Sequence, residues 1–434
     1  DENGKESEKR LSSWSAVGSA APNTIMLTLP EPTMAKKVQV GFMKYNYDDH
    51  ATISDLAFYK ADRIQYDLDA LWEEGQPLTA LKDSVTQETL DDLAERIEWR
   101  DPESATEANP QGEQHPSYKL LKQELDYARG IFENKDSLTN TVYIDPAIDP
   151  AVNGYVGGLS GLQPLGIVAA QDDELSIYVG RDNMTVGSNT ALKLIIAPYG
   201  APGSAVTKQL VATLKAGGNQ VKVDLTGIPA TKGGELGGSL YVQYASSNKN
   251  QNYTVRTFGG RVIPMLDLHG VTDKAERLKR CEEYVEHLEG HVAKLQEMHA
   301  DDKHKDGAGQ DAAYRNDGCV DNATEIGTDN FLFSLPAERI LNGINTGEGN
   351  AAEKLERRLS SDEDMIELFY QHKGFDTTGT VSNAETAAYG AKNGAPAGRQ
   401  NVRYMDMSGG VFMYAAGNHI GIQYGSCTSM TQTP

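Results

Sequence analysis

The residue spacing closest to a recognisable chemistry is His287-Leu288-Glu289-Gly290-His291. Two histidines four positions apart on a helix lie on one face and can share a metal ion. The HExxH pattern of zinc peptidases also needs glutamate directly after the first histidine, to set a carboxylate beside the metal-bound water. Here the acid is Glu289, two places on from His287, which turns it about 200° around the helix. Both histidines flank an apolar seam on the side where solvated residues lie, so the spacing reads as a solvated or edge pair rather than a zinc site. His299 and His304 add nearby histidines that could take an adventitious metal.

The other candidates are weaker. Asp362-Glu363-Asp364 suits a helix N-terminus, where negative charge meets the helix dipole. A catalytic carboxylate pair is the alternative, but nothing fixes its partner. Gly233-Gly234 and Gly237-Gly238 do not form a GxGxxG phosphate cradle, no GxSxG is present, and no Cys/His dyad can be placed. His419 stands just after a Gly417-Asn418 bend, where a side chain can face a cleft. The plainer reading is a histidine in a sheet, bonded to backbone.

His419 belongs to Asn401–Gly425, NVRYMDMSGGVFMYAAGNHIGIQYG. Short β-prone runs broken at Ser408-Gly409-Gly410 and Gly417-Asn418 read as neighbouring strands with glycine at the turns. GGVFMYAAGNHIGIQYG resembles the segment just upstream of the zinc-binding helix in M60-like (enhancin-like) metallopeptidases, many of which cut mucin-type O-glycosylated proteins. In that family an HExxH helix follows, usually as HExGH. No HExxH occurs in these 434 residues. The sequence therefore resembles the approach to a zinc site without the site itself.

Three cysteines, Cys281, Cys319 and Cys427, form neither a disulfide framework nor a CxxC knuckle. One bridge could form, with Cys281 and Cys319 the nearest pair in sequence; three buried small hydrophobes is the competing reading. With 40 Lys+Arg against 62 Asp+Glu the formal charge is −22. That balance argues against nucleic acid, whose phosphates need basic partners, and against an anionic membrane face. A cationic or neutral partner stays open. Apolar content of 39% with 24% charged residues fits a globular chain long enough for two to four domains. No run of 18 apolar residues and no signal peptide is present. The first residues, DENGKESEKR, read like the middle of a longer protein.

The elements that would position these residues divide the chain into four parts. In residues 1–61, Asn23–Leu29, Lys37–Phe42 and Thr52–Tyr59 alternate apolar and polar residues, as half-buried strands do. Ending in SDLAFYK, they resemble the closing strands of a galactose-binding-like β-sandwich; a small accessory sheet is the alternative. Residues 62–140 switch to a 3.6-residue period, and residues 62–150 read as a helical linker region, a small bundle. Its apolar stripes are Ile64, Leu68, Leu71 and Trp72, then Leu90, Leu93, Ala94 and Ile97 behind a Thr86 cap, then Tyr118, Leu121, Leu125, Ala128 and Phe132. Residues 151–264 carry seven short strands with glycine-rich turns, which indicates an antiparallel β-sandwich. Gly233–Tyr244 (GGELGGSLYVQY) and Phe258–Leu268 (FGGRVIPMLDL) are similar to the accessory sandwich before the M60-like catalytic domain.

Residues 265–434 open with a long helix over Asp273–His299, its seam of Leu278, Cys281, Val285, Leu288, Val292 and Leu295 stepping by three and four. Helices are expected at Ser334–Ile340 (capped by Ser334), Glu353–Leu359 and Asp362–His372, the last stopped by Gly374. NATEIGTDNFLFSLPAERIL and DEDMIELFYQHKGF are similar to the lead-in of the M60-like catalytic domain. The resemblance covers roughly Leu165–Tyr424 and implies the N-terminal α+β part of a zincin-like catalytic domain, lacking the zinc helix.

What the resemblance implies is concrete. The chain would be part of a secreted or cell-surface zinc metallopeptidase acting on mucin-type glycoproteins. Zinc would be held by two histidines and a downstream glutamate, none of them in this sequence, so this chain alone would be inactive. Its partners would be a glycoprotein or mucin substrate and the C-terminal remainder of the same protein, with no nucleic acid and no membrane insertion. The strand before the zinc helix would be the sheet edge along which a peptide lies, with Asn418, His419 and Tyr424 against substrate or its sugar. A non-catalytic glycan- or protein-binding fragment is the alternative.

Overall fold

A computed structural model describes residues 64–148, 159–182, 184–198, 209–226, 237–245, 251–298, 320–375, 398–405, 413–416 and 419–432. The strands expected in residues 1–61 lie outside these, as do Cys319 and Asn418. Two compact units are present, 1–133 and 134–434.

The first unit holds α1 (Ile64–Asp69), α2 (Gln87–Glu98), a two-residue strand pair β1 (Arg100–Asp101) and β2 (Glu113–Gln114), and α3 (Tyr118–Glu133). Thr86 caps α2 as its sequence position suggests, its hydroxyl accepting from the Thr89 N–H at 3.2 Å. Leu68, Leu90, Leu93, Leu121 and Ala128 are fully buried stripe residues. Glu124 is buried among them and accepts from Trp72 Nε1 and Gln65 Nε2, both at 3.1 Å. Burial pushes its carboxyl upward against those two bonds.

The second unit begins with β3 (Val142–Ile144), a strand within the residues expected as a helical linker region. It continues through β4 (Leu162–Ala170), β5 (Glu174–Gly180), β6 (Asn189–Pro198), β7 (Gln209–Lys215), β8 (Gly217–Lys222), β9 (Gly237–Tyr244), β10 (Tyr253–Phe258) and β11 (Arg261–Val262). The seven strands expected between residues 151 and 264 form, the one expected over Gln220–Leu225 only as far as Lys222, with β3 and β11 in addition. They make two antiparallel sheets, ordered β3-β10-β5-β8 and β11-β4-β9-β6-β7. Ile167, Ile177, Leu194, Val242 and Val255 fill the layer between them. The five-stranded sheet is buried on its other face too, where Leu162, Ile195 and Tyr241 pack with Leu332 of the next layer. That double burial explains why β4 and β9 read as nearly continuous apolar runs.

Next come β12 (Met265–Asp267), α4 (Lys274–Met298), β13 (Thr324–Gly327), β14 (Phe331–Leu335), α5 (Ala337–Ile344), α6 (Ala351–His372), β15 (Gln400–Tyr404), β16 (Met413–Ala416) and β17 (His419–Ile422). The strands form one mixed sheet ordered β12-β13-β14-β15-β17-β16. Two of its parallel pairs, β12–β13 and β14–β15, are joined through helices. Parallel neighbours need a crossover of that kind, which α4 provides for the first and α5–α6 for the second. The α4 seam meets the sheet and the other helices in one core that includes Cys281, Leu288, Ile326, Ile340, Leu355, Leu359, Val402 and Ile422. Among the described residues no helix is long and apolar enough to cross a membrane.

Three local expectations are corrected. Ser334 does not cap α5: it lies inside β14, and Pro336 occupies the cap position without a side-chain bond. Residues 353–372 form one helix rather than two, because Asn350 caps it from further upstream, accepting from Glu353 N at 3.0 Å. Asp362-Glu363-Asp364 therefore lies within a helix, not at its start. The helix does stop at Gly374, where φ is +82°, a conformation glycine adopts without strain.

Candidate functional site

The far end of the mixed sheet holds the residues singled out in the sequence. β17 pairs in parallel with β15 and antiparallel with β16, so β16 is the edge strand and β17 is internal. This corrects the expectation that the His419 strand forms the edge. His419 is 3% exposed, and its Nε2 shares a hydrogen bond of 2.8 Å with the Tyr414 hydroxyl. The two rings meet edge to face with centroids 5.3 Å apart. Tyr414 crosses from β16 over Gly421 of β17, its register partner, and a side chain at position 421 would collide with the phenol ring. Space at this position is limited by the Tyr414 ring and not by the backbone angle, so a larger residue would have to displace that ring. Position by position, His419 grips the edge strand instead of facing an open groove.

Tyr424 opens a 3-10 turn, Tyr424–Met430, directly after β17. Its hydroxyl donates to Glu338 Oε1 at 2.5 Å and accepts from Asn322 Nδ2 at 3.1 Å, and the Arg339 guanidinium lies 4.4 Å above its ring. Burial, with the Glu338 carboxylate behind it, pushes the Tyr424 phenol far above its ordinary range. The polar end of Tyr424 is thus engaged with α5. Its placement ties the end of the sheet to that helix.

A polar junction joins the sandwich to the mixed sheet, and sequence reading missed it. Arg403 of β15 has no exposed surface; its Nη1 donates to the Tyr241 hydroxyl at 3.3 Å and its Nη2 to the Pro198 carbonyl at 3.2 Å. Tyr241 of β9 donates to Glu325 Oε1 of β13 at 2.7 Å, and Ser334 of β14 donates to Glu325 Oε2 at 2.7 Å. Burial drives the Glu325 carboxyl upward while the Arg403 charge opposes it. Glu325 in TEIG and Arg403 in QNVRY are each one charge in a short strand, and once buried each needs a partner.

A second junction surrounds His269, between β12 and α4. Its Nε2 lies 2.8 Å from Asp145 Oδ2 and its Nδ1 2.8 Å from Asp329 Oδ1. Burial disfavours the imidazolium, but the two carboxylates outweigh it and raise His269 to about 9. Asp145, bonded first of all to His269, is held below the usual carboxylate range. The charge of buried Arg399 favours both carboxylates and opposes the imidazolium, and its backbone exchanges both hydrogen bonds with Ser160, N–H to carbonyl at 2.7 and 2.9 Å.

The remaining candidates among the described residues do not assemble a metal centre, and His299 and His304 lie outside those residues. His291 Nε2 is 2.8 Å from the Asp321 carbonyl, and Glu289 is exposed on another side of α4. Among the described residues no group of three or more His, Cys, Asp or Glu side chains could hold a metal ion. The described residues therefore do not fit zinc. Cys281 and Cys427 are buried free thiols, and burial pushes Cys281 up to about 12. Asp362 pairs with Arg358, and Glu363 accepts from Thr328 Oγ1 and from the Asn330 backbone N–H at 2.9 Å, so neither is a free catalytic carboxylate.

No protein-family profile and no curated protein matches the chain. Solved structures do. The CBM32-1, CBM32-2 and M60 catalytic domains of ZmpB from Clostridium perfringens align over 86% of this chain and 33% of that one, with 17% identity and a TM-score of 0.50. A second structure of the ZmpB metallopeptidase from the same organism aligns over 67% of this chain and 50% of that one, with 17% identity and a TM-score of 0.47. The M60 catalytic domain of ZmpC from that organism, solved in complex with the sialyl T antigen, aligns over 66% and 49%, with 17% identity and a TM-score of 0.45. These structural neighbours contain M60 metallopeptidase domains, and the ZmpB structure at a TM-score of 0.50 agrees in fold with the resemblance read from Asn401–Gly425. The likeness is one of fold, and the chain spans between a third and a half of the length of these solved chains.

Proposed function

We propose that this chain is a portion of a secreted or cell-surface zinc metallopeptidase that hydrolyses peptide bonds in mucin-type O-glycosylated proteins. Residues 265–434 are its N-terminal catalytic part without the zinc helix, and residues 151–264 its accessory sandwich. Residues 62–150 link these to a galactose-binding-like module whose C-terminal part is residues 1–61. The observation that carries the reading is the fold likeness, at a TM-score of 0.50 over 86% of the chain, to a structure that joins carbohydrate-binding modules to an M60 catalytic domain.

In this reading the mixed sheet is one wall of the substrate cleft. Its edge strand β16 offers backbone groups to an extended peptide. Asn418 and His419 serve the substrate side of that wall, His419 from the start of β17 and through Tyr414, while Tyr424 holds the end of the sheet on α5. No hydrolytic step is assigned to the described residues, since no group among them fits the metal. The test is cleavage of a mucin-type glycoprotein by the complete gene product and by this chain alone. Chelator-sensitive cleavage by the complete product only is the expected result. A complete product that binds the glycoprotein without cutting it would instead make this a glycan- or protein-binding fragment.

A further inference from the structure

Helix α6 buries Leu355, Leu359 and Tyr370 against the core and turns a different set of apolar residues outward. Met365 is 61% exposed, Leu368 67% and Phe369 40%, which is three of the ten exposed large hydrophobics among the described residues. At spacings of three and four they share one side of the helix across a single turn. Isolated exposed apolar side chains are ordinary, but a contiguous set rimmed by polar residues marks an interaction surface. Around the helix from this patch the character changes to acidic. Glu363, Asp364 and Glu367 line a cavity of about 300 Å³ with Asp329, and Arg277 is its one basic lining residue. Lys373 Nζ already stands 5.6 Å over the Phe369 ring, so the aromatic edge of the patch accepts a cation.

We propose that the outer face of α6 docks a basic amphipathic helix of a partner protein. Its apolar side chains cover Met365, Leu368 and Phe369, and its lysine or arginine side chains meet Asp364, Glu367 and the acidic cavity. Charge decides the occupant. A second copy of this chain, at −22, would set Asp364 and Glu367 against an equally acidic surface, whereas a basic segment is drawn toward it. The inference does not rest on the peptidase reading.

The test uses the intact 434-residue chain and two fluorescein-labelled synthetic peptides with leucines at helical spacing, one carrying lysines between them and one glutamates. Binding is read by fluorescence anisotropy at two salt concentrations. The leucine–lysine peptide should bind and the leucine–glutamate peptide should not. M365S/L368S, two substitutions at solvent-facing positions, should weaken binding by about tenfold, the effect of losing a central apolar anchor. D364N/E367Q should weaken it and flatten its salt dependence. Failure of the leucine–lysine peptide to bind, or equal affinity for both variants and the parent chain, would overturn the proposal. So would concentration-dependent self-association that M365S/L368S abolishes, which would give the face to a second copy.

Discussion

The Tyr241 hydroxyl meets the Glu325 carboxylate at 2.7 Å, and by that bond a strand of the sandwich is fastened to a strand of the mixed sheet 84 residues later. Arg403 completes the fastening from β15 with bonds to Tyr241 and to the Pro198 carbonyl. The two layers are therefore joined by a buried polar network as well as by apolar contact. A network of this kind is costly when incomplete, because each remaining member is left desolvated without its partner.

Arg403→Met should accordingly destabilise the second unit by roughly 3–5 kcal/mol, the usual cost of removing one member of a buried charged pair. Tyr241→Phe should cost less, about 1–3 kcal/mol, since it removes one neutral hydroxyl. Urea unfolding of both single variants and the double variant gives the coupling. The sum of the single losses should exceed the double loss, because the three groups share one network.

The His269 cluster sets a pH dependence whose sign is fixed by the direction of each shift. In the unfolded chain the imidazole titrates near 6.5, and in the folded protein near 9, so the native state holds the proton more tightly. Its stabilisation is complete below about 6.5 and is lost as pH rises through 9. Asp145 and Asp329 are shifted the other way, the latter because its bonds to His269 and Gly270 outweigh burial, so their contribution fades on the acid side. The melting temperature should fall between neutral pH and pH 9–10, and His269→Gln should flatten that limb of the curve.

At the sheet edge, Tyr414→Phe should free β16 from His419. The loss should be about 1 kcal/mol, appropriate to one partly buried hydrogen bond, and should appear as faster amide exchange in β16 and β17. Gly421→Ala should be worse, since its methyl group meets the Tyr414 ring. Adding Tyr414→Ala to Gly421→Ala should restore part of that loss by removing the obstacle. Absence of any rescue would mean that Gly421 is needed for another reason.

The HLEGH sequence should prove irrelevant to metal. His287→Ala/His291→Ala should leave the zinc content of the purified chain unchanged, measured by atomic emission. A small loss of stability from the missing contact between His291 and the Asp321 carbonyl is expected.

Much of this architecture was legible in the sequence, for identifiable reasons. The seven sandwich strands and α2, α3 and α4 follow from period and punctuation, as at Thr86, Gly374 and the seam from Leu278 to Leu295. What failed was local. Ser334 looks like a cap only until β14 claims it, and Asp362 looks like a helix start only until Asn350 caps the same helix twelve residues earlier. Strand order was beyond reach: nothing in His419–Ile422 states that β16 folds outside β17, because that depends on how Tyr414 passes Gly421. Arg403, Glu325 and Tyr241 find one another across three strands, and no spacing in a linear sequence encodes such a meeting.

The most direct test of the proposed function is the zinc stoichiometry of this chain compared with that of the complete gene product, each purified without added metal. About one zinc per molecule in the complete product and none in this chain is the expected result, the count for a single catalytic centre. Stoichiometric zinc in these 434 residues alone, or a complete product that holds no metal, would contradict it.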